Sequence, residues 1–136
     1  MRYVRLYADT DGESHFEDVD IALSSDNFAP PAPPVIRSEW KAAERVGFIG
    51  GTSSGWHGEA PHPTPRRQFM VWMSGQTNLR ASDGETRVMG PGDVLLFEDT
   101  WGKGHVAWRD GEANLLVVQL PDVEQSAASG QARQLR

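Results

Sequence analysis

The stretch Gly90-Pro91-Gly92-Asp93-Val94-Leu95-Leu96-Phe97-Glu98-Asp99-Thr100-Trp101-Gly102-Lys103-Gly104-His105 decides how the chain is read. It opens on Pro91-Gly92, which has the chemistry of a type II turn: proline presets φ at the first central position and glycine takes the positive φ of the second. Val94 to Phe97 is a short apolar run, bounded at both ends by turn signals, and reads as a strand. After the glycines at 102 and 104, His105 to Trp108 reads as the next strand.

The same grammar holds outward from there. Thr77 to Ala81 and Thr86 to Met89 form a hairpin across Asp83-Gly84. Phe69 to Met73 is a strand closed by Ser74-Gly75, and Leu115 to Leu120 follows His105 to Trp108 across Asp110-Gly111. Upstream, Tyr3 to Tyr7, Phe16 to Leu23 and Val46 to Ile49 read as strands, with a turn at Asp9-Thr10-Asp11-Gly12. The best helical candidate, Ser38 to Val46, is too short and weakly patterned to carry a fold. Pro30-Pro31-Ala32-Pro33-Pro34 predicts an extended arm, because proline lacks a backbone donor. Closely spaced short strands predict an all-β sandwich or barrel.

Composition narrows the functions. The chain has 136 residues, the length of one ordinary domain. With no cysteine, a disulfide framework, a thiolate zinc site and a cysteine nucleophile are excluded. The net charge of −6 argues against a nucleic-acid footprint. No apolar run approaches the roughly 20 residues that span a bilayer, and no apolar stretch follows the first residues. A cytoplasmic protein with no membrane partner is the expectation. No hydrolase elbow, phosphate loop or dinucleotide fingerprint is present. Asp9 to Glu13 lacks the ligand spacing of a calcium loop.

Two of the four histidines, His62 and His105, stand in an informative frame. The first segment runs His62, Thr64, then Gln68, then Gly75; the second runs Pro91-Gly92-Asp93, Gly102, His105. Together they resemble the two sequence motifs of the cupin superfamily, His-x-His…Glu…Gly and Pro-Gly-Asp…Gly…His. The resemblance covers residues 46 to 120 or so. It implies a double-stranded β-helix, or jelly roll, with a pocket inside the barrel. Residues 1–45 would supply N-terminal strands and an arm of the same domain, 46–121 the barrel core and 122–136 a polar tail. The arm resembles the extra strands that small cupins place on a sheet edge, sometimes of a partner subunit, so a homodimer is implied.

The resemblance also implies a divalent metal (Zn, Mn, Fe or Ni) on His62, Gln68 and His105. Two of the four family ligands differ here, since Thr64 replaces a histidine and Gln68 a carboxylate. Two imidazoles and a neutral amide are a thin set for such ions, and His57, Glu59 or His15 would have to complete it. Strand alternation puts Gln68, Met70 and Trp72 on one face. The expected ligand-binding residues are therefore Trp56, Arg67, Met70, Trp72 and Trp101: tryptophans for an aromatic or apolar small molecule, an arginine for a carboxylated one. Three functions stay open: a metal-free small-molecule binder, a metal-dependent dioxygenase, isomerase or lyase, and a structural dimer.

Overall fold

The computed structural model describes residues 1–50 and 60–122. Those residues are all-β, with eleven strands and no helix among them. In chain order they are β1 (Arg2–Ala8), β2 (Ser14–Asp20), β3 (Ser24–Asp26), β4 (Val35–Arg37), β5 (Arg45–Ile49), β6 (Gln68–Ser74), β7 (Thr77–Ala81), β8 (Thr86–Met89), β9 (Val94–Glu98), β10 (His105–Trp108) and β11 (Asn114–Gln119). Among the described residues no helix is long and apolar enough to cross a membrane.

Six strands form one sheet in the order β2-β1-β9-β6-β11-β5, and three form a second, β10-β7-β8. All neighbours are antiparallel except β1 and β9, which run parallel. Neither sheet closes into a barrel. The core fills the space between them. Leu6, Trp72, Leu95 and Leu115 come from the large sheet, and Leu79, Ala81, Met89 and Ala107 from the small one. Strand alternation sorts the side chains. On β6, Gln68, Met70 and Trp72 face inward, whereas Phe69 faces outward and meets Tyr3 edge-on at 5.3 Å.

The turns follow their chemistry. Gly92 has φ +88°, and the Asp93 amide donates to the Gly90 carbonyl at 2.9 Å, closing the Pro91-Gly92 turn. The hairpin β7–β8 has the bounds that Asp83-Gly84 predicts. In the β1–β2 turn, Asp9 accepts the amides of Asp11 and Glu13 on one carboxylate oxygen.

Two expectations for the first half of the chain are corrected, and the weak helical candidate forms no helix, as its patterning implies. The second strand ends at Asp20 rather than Leu23. Residues 38–44 are irregular and lead into β5, with no helical turn. The proline run is not extended. It reverses direction through a cis Pro30-Pro31 bond, with the Ala32 amide on the Ala29 carbonyl, and joins β3 to β4 as a hairpin. A run of prolines is pinned in φ but not in overall course, so its turn is set by the flanking strands. The first two strands add to an edge of the large sheet, beside β9 of their own chain.

Candidate functional site

Between the sheets lies a cavity of about 270 Å³. Its apolar walls include Met70, Trp72, Leu79 and Phe97, and its polar lining includes His62, Thr64, Gln68 and His105. Trp72 keeps its indole N–H satisfied by donating to Thr77 Oγ1 at 3.0 Å.

His105 is the buried polar centre of this wall. Its Nδ1 lies 2.6 Å from Asp99 Oδ2, and Thr64 Oγ1 donates to the other carboxylate oxygen at 2.7 Å. Asp99 is fully buried. A buried carboxylate is retained only where hydrogen bonds offset its desolvation, and both oxygens are engaged here. The backbone builds the same triangle, because the Thr64 amide donates to the Asp99 carbonyl at 3.0 Å. His62 and His105 exchange both backbone hydrogen bonds at 3.0 Å, which brings their rings to 4.9 Å between centroids. Phe97 packs against the His105 ring at 5.5 Å between centroids.

The approach of these two segments depends on Gly104. It has φ +72°, and a Cβ there would stand 2.2 Å from the His62 carbonyl carbon. Only glycine fits. Its carbonyl is held by Ser14 Oγ at 2.7 Å, which ties the site to β2.

Each Nδ1 faces an acceptor. Asp99 offers a carboxylate to His105, and Pro63 offers its carbonyl to His62 at 3.0 Å. A neutral ring that donates from Nδ1 to such an acceptor has Nε2 as its accepting nitrogen. An imidazole nitrogen backed by a carboxylate accepts a hydrogen bond or a proton well.

Of the residues expected from sequence, His62, Gln68, Met70, Trp72 and His105 line one cavity. Arg67 and Trp101 do not. They border a separate surface hollow with Glu98 and Thr100. Arg67 precedes Gln68 on the chain and so projects from the opposite face, where it pairs with Glu98. Arg5 joins the same carboxylate at 2.5 Å. Burial alone would raise the Glu98 pKa, but the hydrogen bonds from Arg5 and Arg67 outweigh it and hold the carboxyl below its ordinary value. Trp101 packs against Gly12 at the β1–β2 turn. Trp108 is half-buried beneath the Arg80 guanidinium at 4.9 Å. Trp56, His57, Glu59 and residues 123–136 of the tail lie outside the described residues.

Among the described residues, the expected metal set comes down to His62, Gln68 and His105. Gln68 Oε1 accepts from Gln119 Nε2 at 3.0 Å, which uses one of its two lone pairs. Both Asp99 oxygens are engaged as well. His15 is clamped between Asp9 at 2.7 Å and Asp83 at 2.9 Å, away from the cavity lining. Among the described residues no three His, Asp or Glu side chains converge as a metal-holding group. Two imidazoles alone fall short of the three protein donors that firm catalytic sites use.

Sequence reading missed Asp99 and Arg109, which complete the site. Thr64 was the available signal: a hydroxyl at a ligand position implies a hydrogen-bond partner, though not which one. No family model matches this sequence, and no curated protein is significantly similar to it.

Proposed function

We propose that this chain is a small-molecule-binding protein of cupin type, a jelly roll whose ligand occupies the cavity between the sheets. The observation that carries this reading is the Thr64–Asp99–His105 chain, which fixes the His105 ring at the wall of a mostly apolar cavity. A volume of about 270 Å³ suits a molecule of one substituted ring; roughly 150 Å³ already admits benzene. The His105 and His62 rings suit a ligand with a hydroxyl, and Arg109, which also lines the cavity, suits an acidic group. Trp72 and Met70 supply the apolar contact.

The test is titration with 4-methylphenol and with 4-methylanisole, followed by tryptophan fluorescence. The phenol should bind more tightly by about tenfold or more, the worth of one buried hydrogen bond. His105→Leu should erase that preference. If neither compound binds, the cavity reading fails; equal binding removes His105 as the anchor.

A metal-dependent dioxygenase, isomerase or lyase is the second reading, favoured by the proximity of the two imidazoles. Metal analysis of untagged protein separates the two. Near-stoichiometric Zn, Mn, Fe or Ni that is lost in a His62→Ala, His105→Ala double variant would favour the enzyme.

A further inference from the structure

The strands β5, β11 and β6 carry one polar row across the large sheet. Gln119 of β11 stands opposite Arg45 of β5 on one side and opposite Gln68 of β6 on the other. Directly opposed residues of paired strands share a face, so all three lie on the face that also bears Met70 and Trp72. The row makes two hydrogen bonds. Arg45 Nε donates to Gln119 Oε1 at 2.8 Å, and Gln119 Nε2 donates to Gln68 Oε1 at 3.0 Å.

A side-chain amide can turn over and exchange its oxygen with its nitrogen, and its partners decide which way it stands. Here the decision starts at Arg45, because a guanidinium has donors and no acceptor. The Gln119 atom that meets it is therefore the oxygen. The Gln119 nitrogen then turns to Gln68, and the Gln68 atom that meets it is again the oxygen. Gln68 Nε2 is left over, with two hydrogens to donate. It hydrogen-bonds to none of the described residues, although Gln68 is only 5% exposed and lines the cavity. A buried donor without an acceptor is costly, and therefore rare. Arg109 lines the same cavity and likewise has only donors to offer.

We propose that the cavity takes a small hydroxyaryl compound that carries a carbonyl oxygen, and that Gln68 Nε2 donates to this oxygen. Arg45 and Gln119 are positioning residues, which hold the Gln68 amide this way round without touching the ligand. The assignment rests on the reading of the cavity as a ligand site. The ring and the hydroxyl come from its apolar walls and its two imidazoles, and the carbonyl is what Gln68 adds.

Calorimetric titration with 4-hydroxyacetophenone and with 4-ethylphenol tests this, since the two differ only by a carbonyl oxygen in place of two hydrogens. The ketone should bind wild type about tenfold more tightly, the worth of one buried hydrogen bond. Gln68→Met removes the donor at similar length and should remove that preference. Gln119→Glu reverses the row, because a carboxylate cannot donate: Gln68 must turn its nitrogen outward to it and its oxygen to the cavity. In that variant the ketone should bind more weakly than 4-ethylphenol, and 4-hydroxybenzyl alcohol, which can donate, more tightly. A merely structural role for Gln119 would not invert a preference. Gln119 is only half-buried, so this variant decides the matter even if Gln68→Met does not fold. If 4-ethylphenol fails to bind wild type, the reading of the cavity falls and the carbonyl assignment with it. If 4-ethylphenol binds as tightly as the ketone, or Gln119→Glu leaves the ratio unchanged, the cavity still holds a ligand and the carbonyl assignment alone is overturned.

Discussion

Asp99 concentrates the chemistry of the site in one side chain. Replacing it by asparagine keeps the shape but turns one engaged oxygen into an amide N–H₂, which faces a donor instead of accepting from it. Asp99→Asn should lower stability by about 1–3 kcal/mol, read from the urea midpoint at unchanged slope. His15 gives a pH signature. Its hydrogen bond to Asp9, then that to Asp83, raises its pKa above the ordinary histidine value, and the same hydrogen bond lowers that of Asp9. The raised histidine contributes stability that is full below its unfolded pKa of about 6.5 and is lost as pH rises through the folded value. The lowered Asp9 contributes above about 3.9 and loses that as pH falls through its own folded value. The melting temperature of wild type should therefore exceed that of His15→Gln most between about pH 4 and 6.5, and the gap should shrink above it. A gap that stays constant to pH 9 contradicts the clamp. At this scale the sequence was half legible. His62, Gln68 and His105 stand out by residue type and spacing. Asp99 does not, because its partners Thr64 and His105 are joined to it by folding and nothing in its neighbours marks it as buried.

Turns and strands were the legible part of the elements. Pro91-Gly92, Asp83-Gly84 and Asp9 to Gly12 each carry their own local physics, and each forms where that physics puts it. Strand alternation likewise sends Gln68, Met70 and Trp72 to one face. It also sends Arg67 to the other, a consequence of the same rule that an anion clamp beside Gln68 overlooks. The course of the proline run is not legible, because fixed φ values do not determine where the flanking strands meet. Gly104 is the element-level weak point, since its Cβ would collide with the backbone of His62. Gly104→Ala should cost roughly 2–4 kcal/mol and separate the two histidines, because positive φ and a backbone clash act together. Gly111 has open space around an added Cβ and no positive φ. Gly111→Ala should stay within about 0.5 kcal/mol of wild type in the same denaturation experiment.

For the whole molecule, two sheets enclose an apolar cavity, and one wall carries a histidine fixed from behind by a buried carboxylate. Sheet order was not legible in the sequence. The parallel pairing of β1 with β9 joins residues some ninety positions apart, and no local pattern specifies such a contact. The zero cysteine count and the scarcity of histidines limit the chemistry that the chain can offer. The central claim is that His105 presents an unprotonated Nε2 to a hydroxyl-bearing ligand. The most direct measurement is the ¹⁵N spectrum of the His105 ring, recorded without ligand and then with saturating 4-methylphenol. The account predicts a protonated Nδ1 and a bare Nε2 in the free protein, with the Nε2 resonance shifting as the phenol binds. A proton on Nε2 of the free ring, or a resonance unmoved at saturation, would contradict it.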